Sequence, residues 1–95
     1  ASGDDLRAMV DELRQRLRSG IVLLAAAGED RVTLALGVTP DLTARFKAGD
    51  LIREAAAAVG GKGGGKPEFA QAGGRDPGKI DEAFALVRER IQASS

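Results

Sequence analysis

Lys62 and Lys66 stand four residues apart in Gly60-Gly61-Lys62-Gly63-Gly64-Gly65-Lys66, where five of seven positions are glycine. Glycine carries a backbone-entropy cost and brings no side chain to a core. A run this dense calls for a backbone that approaches something closely. Successive N–H groups can form a concavity that binds an anion, with the lysines supplying charge. Gln71 and Arg75 lie just downstream, beside Gly73-Gly74. The chemistry this set offers is electrostatic, namely the holding of a phosphate. The candidate binding residues are therefore Lys62, Gly63, Gly64, Gly65, Lys66, Gln71 and Arg75.

Three readings of the segment compete. A glycine-rich stretch can be a flexible linker. Gly60 and Gly65-Lys66 match the start of G-x-x-x-x-G-K-[ST], but Pro67 replaces the hydroxyl that would bind magnesium. Pro67 also disfavours helical geometry at Lys66, so the helix of a P-loop cannot begin there. A cradle for phosphate or nucleic-acid backbone fits best, and it requires positive φ or ligand space at some of Gly63, Gly64 and Gly65.

The chain excludes more chemistry than it offers. It has no histidine and no cysteine. That removes the commonest general base, the Ser–His and Cys–His nucleophile systems, zinc ribbons and disulfides. Asp11, Glu12, Glu54, Asp81 and Glu82 fall on predicted solvent faces, and sequence-adjacent carboxylates on a helix do not converge. No catalytic residue and no metal ligand is assigned. Lys+Arg and Asp+Glu are 14 each, so there is no global attraction to nucleic acid. From Lys62 to Lys79, however, Lys62, Lys66, Arg75 and Lys79 face only Glu68 and Asp76, a local surplus of two charges (4 − 2). Of the aromatics, Phe46 and Phe84 lie on apolar helical stripes and are assigned to the core. Phe69 is either core or a stacking surface. One ring makes no platform for bases, so recognition of RNA would work through backbone and shape.

The elements that must position these residues follow from periodicity. Asp4 to Arg18 reads as a helix with Leu6, Val10, Leu13 and Leu17 on one face and Met9 beside them. Its acids come first, and Arg14, Arg16 and Arg18 come late. Ile21 to Ala27 is apolar on both faces, as a buried central strand would be. Val32, Leu34 and Leu36 alternate across a short turn at Gly28-Glu29-Asp30, which predicts a hairpin. Thr39-Pro40 opens a helix carrying Leu42, Phe46, Ile52, Ala56 and Val59, with a break or kink at Gly49 and an end at Gly60-Gly61. Phe69 to Ala72 is a third strand that can run parallel to a hairpin strand after the helical crossover. Asp76-Pro77 starts a last helix with the stripe Ile80, Phe84, Val87 and Ile91. The fold class is α/β: a small mixed sheet, hairpin plus a third strand, with helices packed on it.

Gly60-Gly61-Lys62-Gly63-Gly64-Gly65-Lys66-Pro67, followed by Ala70-Gln71-Ala72-Gly73-Gly74, resembles the signature near the C-terminus of alanyl-tRNA synthetases. Leu42-Thr43-Ala44-Arg45-Phe46-Lys47-Ala48-Gly49 is similar to that family's upstream run, and the Asp76-Pro77 helix matches too. The likeness covers roughly residues 20–92. The same domain type accompanies DHH-family phosphoesterases, which usually place a histidine in the glycine loop, and none stands there in this chain. The resemblance implies a globular C-terminal domain over 20–92, with residues 4–18 the stump of a preceding helical subdomain. It implies binding of alanine-specific tRNA near the outer corner of the L-shaped molecule, which helps present it for aminoacylation and editing. ATP, alanine and zinc sites would lie elsewhere in the enzyme, leaving this part without cofactor or ligase activity.

Two other classes stay open on the residues: a substrate-binding accessory domain of a DHH-type phosphoesterase, and an oligomerisation module using the first helix. No apolar run approaches the roughly 20 residues of a membrane span. Asp4 and Asp5 stand where a signal peptide carries positive charge. A cytoplasmic fragment is expected, its Ala1-Ser2-Gly3 start reading as a tag scar.

Overall fold

The computed structural model describes residues 3–17 and 19–94, so the expectations for Ala1, Ser2 and Arg18, and for the side chain of Asp4, lie outside the described residues. Among the described residues three helices and four strands follow in the order α1 (Gly3–Arg16), β1 (Ile21–Ala27), β2 (Val32–Val38), α2 (Ala48–Ala58), β3 (Lys62–Gly65), β4 (Phe69–Gly74) and α3 (Ile80–Ser94). The sheet order is β1-β2-β4-β3, and every pairing is antiparallel, so β1 is a half-buried edge strand and not the buried central one expected. The α/β class stands as expected. The sheet is not mixed, however, and the glycine run is not a loop: Lys62–Gly65 is the edge strand β3. The expected crossover joins β2 to β3, which run in the same direction. The chain then reverses, and β4 slots between them, antiparallel to both.

The two faces of the sheet are covered unequally. On one face Val32, Leu34, Leu36 and Val38 of β2 and Ala70 and Ala72 of β4 meet α2 and α3 through Leu51, Ile52, Ala55, Ala56, Ala83 and Val87. Alternation puts Ala35, Val22, Leu24, Ala26 and Phe69 on the other face, where Leu6 and Val10 of α1 cover them. A Cβ at Gly37 would come 2.5 Å from Val10 Cγ1, so glycine there lets α1 settle on β2. Only the first half of the α1 stripe is buried; Met9, Leu13 and Leu17 stay exposed.

Helix ends differ from expectation in instructive ways. Thr39 does not cap a helix with its side chain. Its hydroxyl instead accepts a hydrogen bond from the Gly20 N–H at 3.0 Å, while its own N–H donates to Gly20 O, locking the entry to β1. Pro40–Leu42 forms one 3₁₀ turn, an irregular stretch follows, and α2 begins only at Ala48. Gly49 is thus not a mid-helix break but lies in the first turn of α2, where a Cβ would stand 2.9 Å from Gly65 O. The Asp76 side chain likewise makes no cap bond, and Pro77–Lys79 is a 3₁₀ turn leading into α3.

The C-terminus of α2 ends in a Schellman motif: Gly61 N–H bonds Ala56 O and Gly60 N–H bonds Ala57 O. Gly60 supplies the left-handed φ of 69° that the motif needs. Across the helical layer, Arg90 of α3 clamps Glu54 of α2, with Nε 2.8 Å from each carboxylate oxygen and Nη2 also on Oε1. The hydrogen bond from Arg90, the largest effect, holds the Glu54 carboxyl below its ordinary value against a smaller cost of burial. A depressed folded value gives stability that is present above the ordinary carboxylate range and lost as pH falls through it. The wild type should therefore melt slightly above Arg90→Ala at neutral pH. That gap should close as thermal melts are taken down through and below pH 4, and a gap independent of pH would contradict the assignment.

Candidate nucleic-acid interface

The sheet register sorts the candidate residues. Ala26, Thr33, Gly73 and Lys62 stand in one row across the four strands, and Leu24, Ala35, Gln71 and Gly64 in the next row on the same face. Helix α1 covers the β1–β2 side of this face, where Val10 meets Ala35 and a Cβ at Gly37 would meet Val10. Thr33, Gly73, Lys62, Gln71 and Gly64 form the other side. Gln71 is half-buried there, and Lys62 is exposed on the outermost strand.

Gly63 and Gly65 occupy the rows of Ala72 and Ala70, on the face of α2 and α3. A Cβ at Gly63 would come 2.3 Å from the Ala72 Cβ, and one at Gly65 would come 2.6 Å from Phe69 O. A Cβ at Gly61 would lie 1.8 Å from Gly73 O. These glycines are demanded by the protein's own packing. Gly64 differs: a Cβ there meets nothing within 4 Å. None of Gly63, Gly64 and Gly65 has positive φ; among the described residues only Gly60 does. The cradle expected from unusual backbone angles is therefore absent. What the glycines provide is a thin strand, close-packed on one face and open at Gly64 on the other.

The two lysines are separated rather than convergent. At about 3.3 Å per residue, four steps put Lys62 and Lys66 roughly 13 Å apart along the strand. Lys62 lies at the sheet end where β4 leaves toward Arg75 and β2 begins after Arg31. There an open groove of about 670 Å³ is lined by Arg31, Arg75, Thr33 and Asp30, with Gly60, Gly61, Gly73 and Gly74 as its side-chain-free floor. The Arg75 N–H is fixed by a 2.9 Å bond to Val59 O. Arg31 was missed in the sequence; the signal for it was the register, since Val32 pairs with Gly74. At the opposite end, the Lys66–Phe69 turn is closed by Lys66 N–H on Phe69 O. Pro67 O there accepts from Ala48 N–H, and Glu68 O accepts from Val38 N–H and from the Arg14 guanidinium at 2.7 Å. A turn held at these points is no flexible linker. Next to it the Arg7 guanidinium lies 5.2 Å from the Phe69 ring centroid. Phe69 packs with the α1 cluster under a cation rather than offering a bare stacking surface.

Among the described residues no group of three His, Cys, Asp or Glu side chains could hold a metal ion. No described helix is long and apolar enough to cross a membrane.

The DHHA1 domain profile matches residues 1–93. The chain is 57% identical over 82 residues to the alanine–tRNA ligase of Shewanella amazonensis, covering 86% of this chain and 9% of that protein. It is 50% identical over 92 residues to that of Idiomarina loihiensis, covering 97% and 11%. The crystal structure of the C-Ala domain from Aquifex aeolicus alanyl-tRNA synthetase superposes with a TM-score of 0.92 at 33% identity, over 96% of this chain and 82% of that one. The chain belongs to the C-terminal, DHHA1-type domain family of alanyl-tRNA synthetases. It spans about a tenth of the length of the curated relatives it matches. In this C-Ala-type fold the glycine signature is thus a structural strand with one open position.

That division is testable by urea denaturation. Gly61→Ala and Gly65→Ala should each lose ~1–3 kcal/mol or more through forced backbone shifts. Gly64→Ala should be neutral or gain up to about 1 kcal/mol. Equal losses at all three positions would show that Gly64 is not open.

Proposed function

We propose that this domain binds tRNA through the open half of its sheet and the groove at the sheet's end, mainly by phosphate contacts and shape. It thereby helps place alanine-specific tRNA for aminoacylation and editing by the rest of the synthetase, in the cytoplasm. The observation that carries the reading is the pair Arg31 and Arg75 lining a groove floored by glycine backbone, with Lys62 beside it as the register partner of Gly73. Side-chain-free walls let a sugar–phosphate backbone approach, and guanidinium groups pair phosphates in bidentate fashion. Gln71 and Thr33 add polar groups on the same face, and Gly64 keeps that face low. Lys66 belongs to the opposite end, so it would touch a different stretch of the nucleic acid from Lys62.

Gel shifts with tRNA at several salt concentrations test this. Arg31→Ala, Lys62→Ala and Arg75→Ala should each weaken binding with little base preference, and each should reduce the log–log salt slope by about one unit at most. A triple variant with unchanged affinity and slope would remove this end of the sheet as the interface.

ATP, alanine and zinc would be handled by other domains of the synthetase. A side-chain set without His, Cys or converging carboxylates favours a domain that takes no chemical step itself. The purified domain should therefore give no ATP–pyrophosphate exchange with alanine and no deacylation of mischarged tRNA. Measurable turnover in either assay would contradict this.

A further inference from the structure

The outer edge of β3 is only partly covered. Lys66 N–H bonds Phe69 O, one step past the Gly65–Ala70 pair. Lys62, Gly64 and Lys66 therefore turn their main-chain groups toward β4, and the odd positions turn theirs away from it. Helix α2 takes two of these odd positions. Gly61 N–H bonds Ala56 O near the helix C-terminus, and Pro67 O accepts from Ala48 N–H at its start. Between them, the N–H and C=O groups of Gly63 and Gly65 have no main-chain partner among the described residues. Gly63 is half-buried and Gly65 is exposed. A Cβ at Gly49 would stand 2.9 Å from Gly65 O, so the first turn of α2 leaves room at that acceptor.

Each free position offers one donor and one acceptor side by side. At about 3.3 Å per residue, the two positions lie roughly 6.6 Å apart. Lys62 and Lys66 flank them, both exposed and neither ion-paired among the described residues. A bare phosphate would satisfy the N–H groups and the lysines but set its negative oxygens against the two carbonyls. A peptide strand would satisfy N–H and C=O alike. It would have only the two positions that α2 leaves open, however, and would make no use of the lysines. A ribose with its phosphate answers all of these groups. The phosphate oxygens accept from the lysines and the N–H groups, and the 2′-hydroxyl donates to a carbonyl.

We infer that the β3 edge reads the ribose 2′-hydroxyl. One RNA strand lies along β3 with two of its sugars on the main-chain groups of Gly63 and Gly65 and its phosphates on Lys62 and Lys66. The inference rests on the proposed nucleic-acid interface and adds to it a choice of RNA over DNA. Arg31 and Arg75 cannot make that choice, since a phosphate is the same in both. A deoxyribose would leave the Gly63 and Gly65 carbonyls without their donor.

Substitution at Gly63 or Gly65 would drive a Cβ into Ala72 or Ala70, so the test changes the sugar instead. Alanine-specific tRNA carrying one 2′-deoxy nucleotide at a random position is separated by gel shift into bound and free fractions, and the positions are read in each. Two neighbouring positions should be depleted from the bound fraction by about 3- to 10-fold each, the worth of one hydrogen bond. In the ¹³C-labelled protein, all-ribose tRNA should move the carbonyl resonances of Gly63 and Gly65. Saturating tRNA with deoxyribose at the depleted positions should leave those resonances near their free values while still moving Lys62. If tRNA binds and deoxyribose is tolerated at every position, the inference is overturned and the proposed interface stands. If unmodified tRNA does not bind, both fall. Depletion with the Gly63 and Gly65 carbonyls silent would place the sugar contact elsewhere and overturn the inference. Protection of the Gly63 and Gly65 amides from hydrogen exchange in the full-length synthetase without RNA would give the edge to a peptide segment, which also overturns it.

Discussion

One backbone-to-backbone junction organises the molecule. The Val59 carbonyl, at the end of α2, accepts hydrogen bonds from both Arg75 and Asp76 N–H, at 2.9 and 3.0 Å. The Gly61 backbone lies so close to Gly73 that no side chain fits between them, and a Cβ at Gly74 would come 2.5 Å from Val59. The end of α2, the start of β3, the end of β4 and the approach to α3 are thus joined within a few residues. The Schellman turn at Gly60 aims the chain into that junction. Without it β3 would not reach the sheet, Arg75 would not stand by the groove, and α3 would lose the anchor from which it covers the core.

The same junction explains why glycine is so dense here. A phosphate cradle and a close-packed edge strand make the same demand on the sequence, the absence of Cβ. In this fold Gly61, Gly63, Gly65 and Gly74 answer to neighbouring protein atoms, and Gly64 answers to open space. The signature therefore does two jobs in alternation along one strand. One face seals against α2 and the other gives low relief beside Gln71, with Lys62 in the next row.

Much of the fold was legible because it is written in side chains. The β1–β2 hairpin follows from alternation and the end of α2 from Gly60-Gly61, whereas on α3 the spacing found Val87 but left Ile80, Phe84 and Ile91 only half-buried, with Ala83 buried beside them. β3 was not legible, since Lys-Gly-Gly-Gly has neither β propensity nor an apolar face, and its pairing is made by backbone groups that sequence patterns do not show. Missing β3 also gave β4 the wrong direction, because one unseen hairpin reverses every strand after it. The exposure of Leu13 and Leu17 was hidden for a different reason: periodicity marks an apolar face but does not say how far the sheet beneath it extends. At the site, Lys62, Gln71 and Arg75 were visible by type, and Arg31 was not. Its place depends on a cross-strand register that only the folded sheet fixes.

In the proposed interface, tRNA meets the open half of the α1 face and the glycine-floored groove. Backbone amide shifts, followed by NMR as tRNA is added to the labelled protein, test it most directly. Perturbations should concentrate at Arg31, Thr33, Lys62, Gly64, Gln71, Gly73 and Arg75, with the outer surface of α3 around Leu86 and Glu89 unchanged. Perturbations centred on α3, with the Lys62 and Gly73 row silent, would contradict it.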